Sequence, residues 1–261
     1  MTRFHIVAII AATFASLGLA LNQTWLCIAA VLVVLLLVGL GSAIPQMSFF
    51  GPFICRGTNS QRHVALTFDD GPDPRSTPAL LELLREASVK TAFFGIGHKV
   101  SAQPDLAARI VREGHLLENH SYEHTHTMNI ATSARLAAEL ARTQSAIEQA
   151  TGVAPRLYRP PIGLSNPRVF RVTRALGLTL VGWSAGGLDT RLTDPARIVA
   201  RILRRIKPGA IILLHDGNIP RERLLATVKM LLERLSALGY QVVRLDQLLN
   251  TSLERSDPIP A

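Results

Sequence analysis

From His63 onward the chain alternates short, mainly apolar runs with amphipathic stretches, and one of the apolar runs has no polar position at all. Ala210-Ile211-Ile212-Leu213-Leu214 is five apolar side chains in succession. Successive side chains of a strand point to opposite faces, so a sheet with one wet face would interrupt that run. A parallel strand covered by helices on both faces would not. The spacing predicts seven such strands, at 64–68, 91–96, 115–118, 156–159, 178–183, 210–214 and 240–244. Helical spacing falls between and after them, at 77–87, 105–113, 131–150, 167–176, 195–206, 221–238 and 245–249. The order is that of an α/β domain, either an open doubly wound sheet or a barrel. No GxGxxG follows the first strand to favour a dinucleotide fold.

Two nearly charge-free runs precede this domain, at 4–21 and 25–44, parted only by Asn22-Gln23-Thr24. Each is about long enough to cross a bilayer as a helix, and they concentrate the high hydrophobic content of 48% at the front of the chain. A cleaved signal peptide would need a polar junction before the second run and a more basic start than Arg3 alone. The expectation is a transmembrane helical hairpin over 1–45, a linker over 46–61 rich in Pro and Gly, the main domain over 62–250 and a flexible tail over 251–261. Such a hairpin implies anchoring in a membrane, in a bacterium the inner (cytoplasmic) membrane. The flanking charges Arg3, Arg56 and Arg62 follow the positive-inside tendency only if the domain is cytoplasmic; three charges leave the face undetermined.

The net charge of +9 on an anchored domain points to anionic headgroups or a phosphate-bearing substrate, and away from nucleic acid. Arg197, Arg201, Arg204 and Arg205 cluster on one predicted helix. A solvated face is the ordinary reading of such a run, and contact with anionic lipid is the alternative. Cys27 lies in the second apolar run and Cys55 just beyond it, which is no disulfide framework. Nothing indicates an obligate protein partner.

Ionisable residues gather where the predicted strands end. The first ends in Thr67-Phe68-Asp69-Asp70-Gly71-Pro72, with two adjacent carboxylates that repel unless a cation or hydrogen bonds hold them. The third runs into Asn119-His120-Ser121-Tyr122-Glu123-His124, the fourth ends in Arg159-Pro160-Pro161, the fifth in Trp183 with Asp189 shortly after, and the sixth in His215-Asp216. His120 and His124, four apart, would share one face of a helical turn; His126 is a third candidate. With Asp70 they make two nitrogens and one oxygen, the open form of a catalytic zinc site.

At these positions the chain resembles the polysaccharide deacetylases of the NodB-homology group, carbohydrate esterase family 4, over 62 to about 250. Thr67-Phe68-Asp69-Asp70-Gly71-Pro72, His120-Ser121-Tyr122-Glu123-His124, Arg159-Pro160-Pro161-Ile162-Gly163, Trp183 with Asp189, and Leu213-Leu214-His215-Asp216 are similar to the five family motifs, in order. The resemblance implies a distorted (β/α)7-type barrel and removal of N-acetyl groups from amino sugars of a poly- or oligosaccharide. It implies one divalent metal ion, usually zinc, on Asp70, His120 and His124, and Asp69 as the general base acting on a water activated by that metal. His215 would be the general acid, Arg159 would orient Asp69, and Asp189 would hold His215 protonated. The Ile162 N–H would meet the oxyanion, while Pro160, Pro161 and Trp183 would contact substrate.

Ile162 stands where the family usually has an aromatic residue, Thr190 where a tryptophan is common and Gly186 where many members have an acid. These departures touch the sugar groove and leave the glycan open, a sugar carried on a membrane lipid included. Two rivals remain. Gly182-Trp183-Ser184-Ala185-Gly186 matches a serine-hydrolase GxSxG, although that motif needs a helix directly after Ser184. A non-catalytic glycan-binding protein on the same fold would be expected to have lost ligands or the acid.

Overall fold

The computed structural model describes residues 2–58 and 61–253. Among the described residues, eight strands, all paired in parallel, form one sheet in the order β5-β4-β3-β2-β1-β7-β6, with β8 also pairing with β1. They are β1 (His63–Asp69), β2 (Ala92–Gly95), β3 (Leu116–Asn119), β4 (Leu157–Tyr158), β5 (Thr179–Leu180), β6 (Ala185–Gly186), β7 (Ile211–His215) and β8 (Gln241–Val242). The seven predicted strands are all present, and β6 is additional. Of the two architectures the pattern allowed, the curled sheet is the barrel-like one.

Helices α3 (Thr77–Glu86), α4 (Gly97–Ala102), α5 (Pro104–Arg112), α6 (Ser133–Thr151), α7 (Pro167–Ala175), α8 (Pro195–Leu203), α9 (Arg221–Ala237) and α10 (Leu245–Leu253) surround it. Their starts follow local chemistry. Asn166 accepts the N–H groups of Arg168 and Val169, and Asp194 that of Ala196, each just before a proline in the first turn. Oxygen caps and an N1 proline both suit the unpaired donors there. The continuous apolar strands are buried on both faces, as their composition requires: Leu66, Phe68, Ile212 and Leu214 face one cluster, Ala65 and Ile211 another.

The predicted linker is part of the barrel. Ile54 bridges to Val181 beyond β5, and Arg56 bridges to Ala210 before β7, so the segment fills the seam between the two ends of the curled sheet. Phe49, Phe50, Phe53 and Cys55 are all buried. The predicted tail begins inside α10, and residues 254–261 lie outside the described part of the chain.

Helices α1 (Arg3–Ala20) and α2 (Thr24–Ala43) are each long and apolar enough to cross a membrane, and only 6% of each apolar stretch is buried. They run antiparallel. Phe4 donates its N–H to Phe49 O, and Arg3 Nη1 donates to Met47 O at 2.7 Å, closing the open end of the hairpin against the domain. At the closed end Gly18 packs where a Cβ would lie 2.9 Å from Leu26.

Candidate active site

The register of the parallel sheet sets the site. Asp69, the last residue of β1, is the direct partner of His215, the last residue of β7, so a carboxylate and an imidazole stand on neighbouring strands, roughly 5 Å apart in backbone. Beyond β2, on the side of β1 away from β7, β3 ends at Asn119 and β4 at Tyr158, and Arg159 N–H donates to Asn119 O. His120 and Arg159 therefore leave adjacent strands together.

Arg159 is fully buried and aims inward. Nη1 donates to Asp69 Oδ1 at 2.6 Å and to Thr67 Oγ1 at 2.9 Å, and Nη2 donates to Gly182 O at 3.0 Å. Its guanidinium also lies 4.0 Å over the Phe94 ring. Burial pulls its pKa down and Asp69 pulls it back up; arginine remains charged in either case. One oxygen of Asp69 is thereby committed, and Oδ2 faces the site, 3.8 Å from His120 Nε2.

Asp70, His120 and His124 each offer one atom, all within 4.8 Å of one another. The i, i+4 spacing does not place the histidines on a helix. They flank a loop in which Ser121 and His124 both have positive φ, 64° and 53°, and the turn brings their rings to 4.8 Å between centroids. Asn119 Oδ1 accepts the Ser121 N–H, and Glu139 of α6 accepts the N–H groups of Tyr122 and Glu123, which fixes that loop. The side chain of His126 lies outside the described part of the chain.

The donor set fits a cation. His120 Nδ1 lies 2.7 Å from Arg159 O; a carbonyl only accepts, so Nδ1 carries the proton and the neutral ring turns a lone pair out through Nε2. That lone pair and His124 Nε2 stand 3.5 and 3.2 Å from Asp70 Oδ1, a buried oxygen with no hydrogen-bond partner. Lone pairs facing an orphaned carboxylate oxygen repel, and a cation among them resolves the conflict. Burial pushes the Asp70 carboxyl up, but a hydrogen bond and charge from His120, then the charges of His215 and His124, hold it well below the usual range when those rings carry protons; a cation on the same atoms would take the protons' place. It is ionised and ready to bind.

His215 has the opposite bias. Burial disfavours its charge, but the hydrogen bond and charge of Asp189, then the charges of Asp69 and Asp70, push it up to about 9. Asp189 is buried, with Oδ1 3.0 Å from His215 Nδ1 and Oδ2 accepting the His215 backbone N–H at 2.8 Å. An ionised carboxylate only accepts, so Nε2 is the nitrogen left to give a proton. Ile162 is 56% exposed with φ 56° and ψ 5°, a costly conformation for a β-branched residue. Asp70, Ser121, His124, Ile162, Leu188 and Asn218, all at positive φ, follow strand ends on this one face, and such strain clusters at functional sites. Trp183 packs on Gly163, where a Cβ would lie 2.4 Å from its ring.

Ser184 is elsewhere. It exchanges hydrogen bonds with Ile211 at the start of β7, four residues or roughly 13 Å of strand from His215. It is followed by β6 and not by a helix, so the serine-hydrolase reading fails on both counts.

The polysaccharide deacetylase family matches residues 56–181. A peptidoglycan-N-acetylglucosamine deacetylase of Bacillus cereus is 34% identical over 193 residues, 73% of this chain and 90% of that protein. The chain belongs to the polysaccharide deacetylase family. Another relative, the chitooligosaccharide deacetylase of a Bradyrhizobium strain, is 36% identical over 199 residues, covering 72% of this chain and 90% of that one. Among solved structures, a carbohydrate esterase family 4 pseudoenzyme from Bacillus anthracis superimposes with a TM-score of 0.71 at 28% identity, over 76% of this chain and 69% of that one. A fold shared with a pseudoenzyme leaves catalysis to be argued from residues.

Residues that sequence reasoning passed over also contact the candidate site of this deacetylase. Thr67 Oγ1 receives Arg159 while donating to Ile212 O at 2.7 Å. Lys99 Nζ donates to Asp70 O at 2.8 Å. Asp216 is fully buried beneath Gly71; burial pushes it up to about 7, and its Oδ2 accepts from Thr77 Oγ1 at 2.6 Å. Thr67 and Asp216 belong to the motif segments themselves; nothing in sequence marks Lys99.

Proposed function

We propose that this protein hydrolyses N-acetyl groups from amino sugars of a glycan, with Asp70, His120 and His124 holding one zinc ion. The observation that carries the reading is the strand-end pair Asp69 and His215, a carboxylate and an imidazole on neighbouring strands next to that ligand set, the imidazole with its pKa raised by Asp189. A bound zinc ion supplies Lewis acidity, lowering the pKa of water and polarising the amide carbonyl.

The chain's own residues manage the protons. Asp69 Oδ2 accepts one as water oxygen adds to the acetyl carbon, while Arg159 and Thr67 keep the other side of the carboxylate arrangement from turning. The Ile162 N–H donates to the oxyanion as it forms; its retained backbone strain supports that role. His215 Nε2 delivers a proton to the nitrogen as the C–N bond breaks, and Asp189 holds the imidazole oriented and charged. The products are acetate and a free amine. Trp183, Pro160 and Pro161 form the wall against which a sugar ring would rest.

Peptidoglycan and chitin-like oligomers are the substrate classes that the relatives' names suggest. One observation favours a second substrate, an amino sugar carried on a membrane lipid. The open end of the hairpin touches the rim of the site: Gln46 Nε2 donates to Trp183 O at 3.0 Å, and Ser165 N–H approaches Ser42 O at 3.4 Å. With α1 and α2 in a bacterial inner membrane, the mouth of the site would stand beside the lipid surface.

Acetate release by Asp69→Asn, measured beside its zinc content, tests the mechanism. Turnover is expected to fall to near zero with zinc retained. Substantial activity in that variant would remove Asp69 from its role.

A further inference from the structure

A second cavity lies at the joint between hairpin and catalytic domain. Its volume is about 520 Å³, and Phe4, His5, Phe50, Phe170, Arg171 and Arg174 line most of it. No acidic residue lines it, and α7 contains none. From this cavity we infer a binding site for the phosphate of an anionic membrane lipid.

The chemistry divides the cavity into two walls. Arg171 and Arg174, three apart, share a face of α7, and both are exposed. Their neighbour Arg168 is engaged elsewhere, donating to Ala131 O. Two guanidinium groups without a carboxylate in the cavity form a fork that suits phosphate oxygens. The rest of the lining is largely apolar. Phe4, Phe49 and Phe50 pack ring on ring at 5.0–6.1 Å, and Gly51 admits the Phe170 ring where a Cβ would lie 2.4 Å from it. Thr2 and His5 complete the rim. Thr2 Oγ1 accepts the His5 backbone N–H and lies 2.6 Å from His5 Nδ1. Its hydroxyl proton can go to Nδ1, leaving Nε2–H as a further donor.

Position fixes the ligand as a lipid. Helix α1 begins at Arg3 and has no further Arg, Lys, Asp or Glu to Ala20, a length of about 27 Å at 1.5 Å per residue, which matches a hydrocarbon core. The cavity lies at the first residues of that helix, where headgroups are. The arginines singled out in sequence, on α8, have no part in the joint; the basic helix beside the hairpin is α7. The site rests on the membrane reading of the hairpin and needs nothing from the substrate assignment.

The test uses the full chain in nanodiscs of phosphatidylcholine, titrated with phosphatidylglycerol and read by native mass spectrometry of lipid adducts. Wild type is expected to retain phosphatidylglycerol over phosphatidylcholine. Arg171→Gln/Arg174→Gln should lose about 30-fold of that preference, at roughly tenfold or less per basic residue, with its lipid-free unfolding temperature unchanged. Arg204→Gln/Arg205→Gln, which removes equal charge from the end of α8, should keep the preference. Equal loss in both double variants, or none in the first, overturns the site. Inorganic phosphate displacing the lipid at comparable concentration overturns the lipid in favour of a free anion. A chain that does not enter neutral nanodiscs at all overturns the membrane reading, and this site with it.

Discussion

Arg159 Nη1 and Asp69 Oδ1 meet at 2.6 Å in a place where both side chains are almost wholly sealed from water. Breaking one half of a buried pair leaves the other charge without compensation, a cost of about 3–5 kcal/mol. Arg159→Met should therefore unfold in urea at much lower concentration than wild type. Adding Asp69→Asn should recover much of that loss while leaving the enzyme inactive. Recovery of stability without recovery of turnover would separate the structural debt of the pair from its chemical use.

His215 donates its proton only while charged, and its pKa is pushed up to about 9. Turnover should fall as pH rises through that value, or slightly below it once a cation on Asp70 cancels part of the lift. Asp189→Asn removes the hydrogen-bonding carboxylate, so the falling limb should move down toward the ordinary imidazole value of 6.5. The stability sign is the same. A raised pKa contributes stability that is full below about 6.5 and lost as pH climbs through about 9. A pH–rate profile for the two proteins checks both the limb and its shift.

Much of this was readable from residue order, for identifiable reasons. Parallel strands buried on both faces must be written in apolar residues, which is why β1 and β7 stand out in the sequence. The two-residue β6, Ala185–Gly186, has no such run, and the short α4 opens on Gly97, whose lack of a Cβ lets Tyr122 pack at 2.5 Å from where one would be. The spacing of His120 and His124 suggests a shared helical turn that the chain does not use; the loop brings the rings together with left-handed backbone at Ser121 and His124, which sequence spacing does not encode. Residues 46–61 read as linker because Pro and Gly dominate that signal, although Phe49, Phe50 and Phe53 are the apolar residues a docked segment would need.

Gly71 is required by space. A Cβ there would lie 2.3 Å from Asp216 Oδ2, and Asp216 cannot retreat, being fully buried and held by Thr77. Gly71→Ala should cost about 1–3 kcal/mol, as overpacking does, and should reduce turnover further by displacing Asp70 next to it. Shortening the obstacle with Asp216→Ser in the same chain is expected to restore part of the stability. Chemical denaturation of the three proteins decides it; an indifferent Gly71→Ala would mean that the turn has room the structure does not give it.

Zinc binding should be visible in stability without any assay of turnover. A ligand that binds only the folded state adds RT ln(1 + [L]/Kd), about 2.7 kcal/mol at a hundredfold excess over Kd. For a domain of this size that is a rise of several degrees in unfolding temperature. Asp70→Ala should abolish the rise. It should also behave differently from an ordinary core truncation when chelator is present. In metal-free wild type Asp70 Oδ1 has no hydrogen-bond partner, and the imidazoles of His120 and His124 at 3.5 and 3.2 Å compensate its charge only in part. The variant is thus expected to lose little in chelator and to be clearly less stable than wild type in zinc. Equal destabilisation under both conditions would make Asp70 a structural carboxylate and empty the ligand set of its oxygen.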